Sequence, residues 1–189
     1  MENEKSIGLC MITKNCELIV SDTIKSIKGL VDEVVVLDTG STDNTIAVCK
    51  SLGAKVYEDE WRNDFSLSRN TALGYMSADW VLVLDSDELL SAKDFDKIRS
   101  AVNSKNISGY KLLQRNYTNN KNRRDWKKCD GEYPKEEEDW MGYTSSFIVR
   151  LFKNDSSIRF KGNVHELVED SILENGGKIG AIDVSVHHL

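Results

Sequence analysis

The sequence predicts an α/β protein: a mostly parallel central sheet flanked by helices, with a smaller mixed β region in the C-terminal half. Three observations lead there. Over the first hundred residues, apolar β-branched runs alternate with stretches of helical periodicity, the pattern of right-handed crossovers between parallel strands. Two of those runs, VVVLDTGSTDNT (residues 34–45) and WVLVLDSDE (80–88), stop abruptly at aspartate. Parallel strands do this where they deliver carboxylates to the ligand-binding edge of an open sheet. After Gly109 the alternation gives way to strand-like runs around one long polar stretch.

Taken in order, IGLCMIT (7–13) reads as the first strand, and residues 18–30 carry helical periodicity with Gly29 near the end. Residues 33–37 form the second strand. A helix over 44–52 is opened by the capping cluster Ser41-Thr42-Asp43 and closed by Gly53. A short strand (55–58), a helix (65–76), the central apolar strand (80–84) and a helix (95–102) follow. Residues 109–117 read as a strand. Residues 118–142 are polar and charged and hold the only proline, Pro134, together with the acidic run 136–139; so long a connection is usually a functional lid or partly disordered. Strand patterning resumes at 146–153, 158–160 and 181–186. The expectation is one domain over 1–189, and the strand-like ending at Leu189 suggests one domain of a longer protein.

Composition narrows the function classes. A chain of 189 residues supports one well-buried core, and 40% hydrophobic with 30% charged residues is ordinary for a globular protein. A net charge of −6 argues against broad nucleic-acid binding, though not against a nucleotide substrate. Cys10, Cys16, Cys49 and Cys129 form no CxxC pair or zinc-like spacing, so a reduced, cytoplasmic chain is expected, with Cys10 and Cys49 as buried thiols. No signal peptide or membrane-span length of apolar residues is present in the sequence. The basic residues within 121–128 leave room for peripheral membrane contact, although short charge runs are usually solvated loops.

Four groups of residues carry chemistry. Asp38 ends the second strand, and Gly40 permits a tight turn against a ligand; a carboxylate there can accept from a base or ribose, or it can simply shape the turn with Asp43. Asp85 and Asp87 are two apart, so in an extended segment both face one point beyond the strand end. Two adjacent like charges are relieved by a divalent cation, and hard oxygen donors suit Mg²⁺ or Mn²⁺ beside a phosphate. An acidic turn capping a helix from Ser91 would explain only one aspartate. Arg69 and Asn70 lie in an amphipathic helix, where a guanidinium can reach a base or phosphate, or pair on the surface with Asp64 or Asp79. His165 and Glu166, in FKGNVHELVED, and the terminal His187-His188 could reach a cleft; HExxH spacing is absent, which excludes a zincin.

With these residues in view, the chain resembles family 2 glycosyltransferases of the GT-A, Rossmann-like fold. It resembles in particular the bacterial branch with lipopolysaccharide-core, peptide-glycosylating and tetratricopeptide-fused members. The likeness rests on MITKNCE, VVVLDTGSTDNT, W-x-x-DFSLSRNTAL and DWVLVLDSDE, in order over about the first ninety residues, and more thinly on F-x-G-x-VHE and VHHL. The resemblance implies a nucleotide-sugar-binding half (1–108) and an acceptor-side half (109–189). It places Thr13, Asp38, Gly40, Arg69 and Asp85 at the nucleotide, and Asp85, Asp87 and His188 at an Mn²⁺ or Mg²⁺ ion, with His187 as the alternative histidine. Many relatives carry the inverting base in a Glu-Asp pair that has no unique counterpart here, so Glu166, with His165 beside it, is the expected base.

The implied reaction is metal-dependent, inverting transfer from a nucleoside-diphosphate sugar, with UDP expected by family frequency. The acceptor would be a glycan, a lipid-linked glycan or a peptide, in cell-envelope biosynthesis or related chemistry. Three alternatives are a nucleotidyltransferase, which would need a glycine-rich basic loop that MITKNCE lacks; a glycosidase, with two facing carboxylates and no nucleotide site; and a degenerate domain that binds sugar nucleotide without turnover.

Overall fold

The computed structural model describes residues 4–164 and 166–189. Four strands, β1 (Ile7–Thr13), β2 (Glu33–Asp38), β3 (Lys55–Glu58) and β4 (Trp80–Val83), are parallel in the spatial order β3-β2-β1-β4. They are joined by α1 (Val20–Ser26), α2 (Thr45–Ser51) and α3 (Phe65–Leu73). Two of these helices show a side-chain cap or a glycine stop. Asp64 caps α3 by accepting from the Leu67 amide at 3.0 Å, and Asp43 accepts from the Thr45 amide at the head of α2. Gly53, at φ +85°, lets the chain leave α2 in a left-handed turn.

Beyond β4 the same sheet continues through β8 (Gly142–Lys153), β6 (Gly109–Tyr117), β9 (Ile179–His188) and β5 (Glu88–Leu90), with the two-residue β7 (Lys127–Lys128) paired to β8. β8 runs antiparallel to β4 and β6, β9 parallel to β6, and β5 antiparallel to β9. The mixed C-terminal strands are therefore an extension of the central sheet. α4 (Phe95–Ala101), entered through a 3-10 turn at Ala92–Asp94, and α5 (Glu169–Glu174) complete the helices.

Period-2 alternation sends side chains of the inner strands to two separate cores. Leu9, Met11, Leu82, Leu84, Leu112 and Val186 pack with Val20 and Ile24 of α1 and Ile98 of α4. Cys10, Val35, Leu37, Val81 and Val83 pack with Ala72 and Leu73 of α3 and Ile172 of α5. Cys10 and Cys49 are buried thiols, as expected, and burial pushes each up to about 12.

Several elements differ from expectation. α1 is shorter than the 18–30 periodicity, because Leu18 and Ile19 face solvent and the Cys16 carbonyl takes both the Ile19 and Val20 amides in a turn. Residues 158–160 form no strand: the Asn70 side chain donates to the Phe160 carbonyl (3.0 Å) and accepts from its amide (2.9 Å), standing in for a neighbouring strand. β5 and α5 are too short to leave a periodic signal.

The 118–142 segment is held in place rather than loose. Arg115 lies between the rings of Tyr133 and Tyr143, 4.6 Å from each centroid. It donates to Ser185 Oγ (3.0 Å), Glu137 Oε1 (3.2 Å) and Glu132. Tyr133 is buried and donates to Asp94 Oδ2 at 2.8 Å. Arg115→Met leaves the buried Glu137 carboxylate without its cation. The expected loss is about 3 kcal/mol in urea denaturation; a variant as stable as the parent would show that the segment is anchored elsewhere.

Candidate active site

The carboxyl ends of β1, β2 and β4 lie side by side, because β1 pairs with both neighbours in parallel register. Asp38, at the end of β2, is 1% exposed. Its Oδ1 accepts from the Gly40 and Ser41 amides (3.0 and 2.7 Å), and its Oδ2 from the Ser41 and Thr13 hydroxyls (2.5 and 3.2 Å). Asn15 ties the same loop to the end of β1, donating its amide to Ser41 Oγ and accepting from the Thr42 amide. Thr13, Asp38 and Gly40 thus form a self-bonded turn, and the carboxylate's contacts are those of turn shaping.

The second centre follows β4. The Arg69 guanidinium, 6% exposed, reaches from α3 to two carboxylates: Nη2 donates to Asp85 Oδ1 at 2.7 Å and Nε to Glu166 Oε1 at 2.8 Å. The Phe160 ring lies 5.6 Å from it. Arg69 therefore sits in the floor of the cleft, joining carboxylates 81 positions apart in the chain, and is not a surface arginine paired with Asp64 or Asp79. Arg150, 7% exposed, approaches from β8, with Nη2 2.6 Å from Glu88 Oε1 and 3.6 Å from Asp85 Oδ2. Its direction has a backbone cause. The β6–β8 register passes from Tyr110↔Leu151 to Lys111↔Val149, so Arg150 is the extra residue of a bulge and is re-aimed out of the alternation.

Burial by itself raises the Asp85 carboxyl, but Arg69 and then Arg150 outweigh it and hold it below the usual range. Glu88, 1% exposed, goes the other way: burial pushes it up, the nearby Asp85 charge adds to that, and Arg150 offsets only part. Glu88 also fixes the acidic loop. Its Oε2 accepts from the Asp85 amide at 2.8 Å, its own amide donates to the Asp85 carbonyl at 3.1 Å, and Gln114 donates to its Oε1 at 2.9 Å. Thr23 of α1 donates to the Ser86 carbonyl at 2.8 Å. Glu88, Gln114, Asn116 and Arg150 were not singled out from sequence. The available signal was an arginine inside the apolar run FIVRLF and a third acidic residue closing DSDE.

The two terminal histidines part by strand alternation. His187 is 0% exposed, faces Tyr117 (hydroxyl to Nδ1, 2.9 Å), and is pushed down to about 3 by burial and then by Arg115. His188 lies on the cleft side, with Nε2 3.2 Å from Asp87 Oδ2 and Nδ1 2.9 Å from Asn116 Oδ1. His188, not His187, is the histidine at the acidic loop.

Of the expected metal group Asp85, Asp87 and His188, the structure pairs Asp87 with His188 and turns Asp85 toward the arginines. Among the described residues, no three His, Cys, Asp or Glu side chains converge as a complete cage. An open carboxylate–imidazole pair fits a divalent ion that takes its other ligands from phosphate and water. An imidazole donor suits Mn²⁺ better than the oxygen-seeking Mg²⁺.

Arg69, Asp85, Asp87, Glu88, Gln114, Glu166 and His188 line one open cleft of about 390 Å³. A second cavity of about 270 Å³ adjoins it and shares Arg69, Asp85, Gln114 and Glu166. Thr13, Asp38 and Gly40 are not in the wall of either. His165 lies outside the described residues. Glu137 of the acidic run 136–139 is bound to Arg115 and Gly131, away from both cavities.

The sequence model described as "Glycosyl transferase family 2" matches residues 9–160. A TPR repeat-containing protein of Synechococcus elongatus is 34% identical over 168 residues, covering 88% of this chain and 36% of that protein. The SPbeta prophage-derived glycosyltransferase SunS of Bacillus subtilis is 25% identical over 149 residues, covering 78% of this chain and 31% of its own length. The chain thus spans about a third of the curated relatives it matches. In three dimensions it superposes on glucosyl-3-phosphoglycerate synthase from Mycobacterium tuberculosis in complex with Mg²⁺ and UDP. The TM-score is 0.62 at 19% identity, over 98% of this chain and 72% of that one. At that identity the likeness is one of fold: a large mixed sheet flanked by helices, as in GT-A glycosyltransferases.

The fork of Arg69 gives a stability prediction. Arg69→Met strands Asp85 and Glu166 and is expected to cost about 3 kcal/mol. Arg69→Lys keeps the charge but cannot reach both carboxylates with planar donors, so an intermediate loss of about 1–2 kcal/mol is expected. Urea denaturation separates the three proteins; a lysine variant equal to the parent would refute the bridging role.

Proposed function

The chain belongs to glycosyl transferase family 2, and from that premise we propose that it transfers a sugar from a nucleoside-diphosphate donor, with UDP the first candidate, to a nucleophilic acceptor with inversion. The observation that carries the reading is the meeting of the Asp87–His188 pair with the Asp85–Arg69–Glu166 array in one cleft at the carboxyl end of β4. The synthase with this fold was crystallised with Mg²⁺ and UDP, and SunS, to which this chain is similar, is named a glycosyltransferase.

In this reading Asp87 and His188 would hold an Mn²⁺ or Mg²⁺ ion, which supplies Lewis-acid stabilisation to a departing diphosphate. Asp85, fixed by Arg69 and by the Glu88 bond to its amide, faces the ribose side of the donor. The Thr13–Asp38–Gly40 turn carries the nucleotide base on backbone groups that Asp38 has oriented. Glu166 takes the proton from the acceptor as it attacks the anomeric carbon from the face opposite the diphosphate. Arg69 holds one Glu166 oxygen at 2.8 Å and thereby sets the direction of the other. The acceptor is a saccharide, a lipid-linked glycan or a peptide side chain, and it enters past Val164 and Leu167, which are exposed at this end of the cleft.

Calorimetric titration with UDP, GDP and dTDP, each with and without Mn²⁺, tests the donor half. Mn²⁺-dependent binding of UDP is expected. Asp87→Ala is expected to abolish that dependence and donor hydrolysis while leaving the unfolding midpoint near the parent's. Hydrolysis unchanged in the variant would remove the metal role, and nucleotide binding without any turnover of UDP-sugars would favour a non-catalytic binding domain.

A further inference from the structure

His188 stands in a row of three strands. It is the register partner of Glu88 across the β5–β9 ladder and of Asn116 across the β6–β9 ladder. Gln114, two residues before Asn116, shares its face of β6. The four polar side chains are connected in sequence. Glu88 Oε1 accepts from Gln114 Nε2 (2.9 Å), and the same Nε2 reaches Asn116 Oδ1 (3.3 Å). Asn116 Oδ1 faces His188 Nδ1 (2.9 Å), and His188 Nε2 faces Asp87 Oδ2 (3.2 Å). With the Asp85 amide bonded to Glu88, the chain of contacts leaves one end of the acidic loop and returns to the other.

The direction of each bond follows from what each atom can do. Gln114 Nε2 is only a donor, so the Asn116 atom it reaches is the carbonyl oxygen, an acceptor. That oxygen can serve His188 Nδ1 only if Nδ1 carries a proton. Nε2 is then the nitrogen turned toward the Asp87 carboxylate: with a proton it donates to Oδ2, and without one it presents a lone pair beside that carboxylate, where a divalent cation can take the proton's place.

We propose that Asn116 is a positioning residue for cation binding. It fixes the tautomer and ring direction of His188, and Gln114 holds the Asn116 amide against Glu88. The proposal rests on the reading that Asp87 and His188 hold a divalent ion. Asn116 acts through the histidine and does not touch the ion. Outer partners of this kind typically change metal affinity about 10- to 100-fold when removed.

The test measures Mn²⁺ affinity of the purified chain in saturating UDP, by the electron paramagnetic resonance signal of free Mn²⁺. Asn116→Leu is expected to bind Mn²⁺ about 10-fold or more weakly. Asn116→Asp keeps an acceptor for Nδ1–H and is expected to bind as tightly as the parent or better. In a His188→Ala background, Asn116→Leu is expected to add nothing, because its effect passes through the imidazole. An Asn116→Leu protein that binds like the parent, or one whose loss adds in full to that of His188→Ala, would overturn the proposal. Should Asn116→Leu fail to fold, Gln114→Leu carries the same test: a several-fold weaker affinity is expected, and an unchanged one counts against it. A parent that binds no Mn²⁺ with UDP present overturns the metal reading itself, a result distinct from a parent that binds and a variant that does not differ.

Discussion

Two buried guanidinium groups organise the carboxyl end of the sheet. Arg69 and Arg150 share Asp85 between them and hold Glu166 and Glu88 on their outer sides. Arg69 and then Arg150 hold the Asp85 carboxyl below its usual range against the opposing effect of burial. Removing charges from water costs roughly what their attraction returns, so such a cluster is a poor means of stabilising a fold. What it provides is direction. Planar guanidinium forks fix the orientation of each carboxylate in a way that a lysine ammonium could not, and they do so from two different elements, α3 and β8, that otherwise have no reason to be in register.

The same end of the molecule constrains the shape of the sheet. β4 and β5 are joined by only the four residues 84–87, yet β8, β6 and β9 lie between them in the sheet order. At about 4.8 Å between neighbouring strands, a flat sheet would separate them by about 19 Å. Five residue steps from Val83 to Glu88, fully extended, span at most about 18 Å. The segment is not extended, since the Glu88 amide turns back to the Asp85 carbonyl. The sheet must therefore curl around the acidic loop, and this curl brings Arg150, Gln114 and His188, one from each intervening strand, against the residues that link β4 to β5. Cleft residues from strands remote in sequence are thus gathered around one short loop.

This explains which parts were legible in the sequence. The bounds of β1, β3 and β6 were read correctly because each is an apolar or alternating run ended by a polar turn. Asp85 and Asp87 were visible because parallel strands end in their ligands. The choice between His187 and His188 was open because it depends on the phase of β9 against β6, set by an irregularity between Ala181 and Ser185 that no local pattern shows. Arg150 was hidden for the same reason: a bulge, and not alternation, decides where it points. Glu88 read as the tail of an acidic cluster, since its burial depends on a three-residue strand too short to have a period. Arg69 is expected from sequence at the nucleotide; its two carboxylate partners, 16 and 97 positions away, leave no local pattern that could have named them.

The segments around the cleft are held by different numbers of bonds. Next to the cleft, the strand-end turn after β2 is closed on itself, with the Asp38 carboxylate saturated by backbone and hydroxyl donors. The 118–142 segment, which composition suggested as the mobile part, is tied to the sheet through Arg115, and its Glu137 is consumed in that anchoring. That leaves the connection after Phe160 as the lightly held wall. Among the described residues it is fastened by the isolated bridge Lys161↔Leu167, by the Lys161–Glu174 ion pair, by the Phe65 amide on the Asn163 carbonyl, and by Arg69 on Glu166. Few ladder bonds mean a low cost of local opening. Glu166 is carried on that connection and is tethered at its tip by the same arginine that fixes Asp85. One guanidinium group thus joins that wall to the acidic loop after β4.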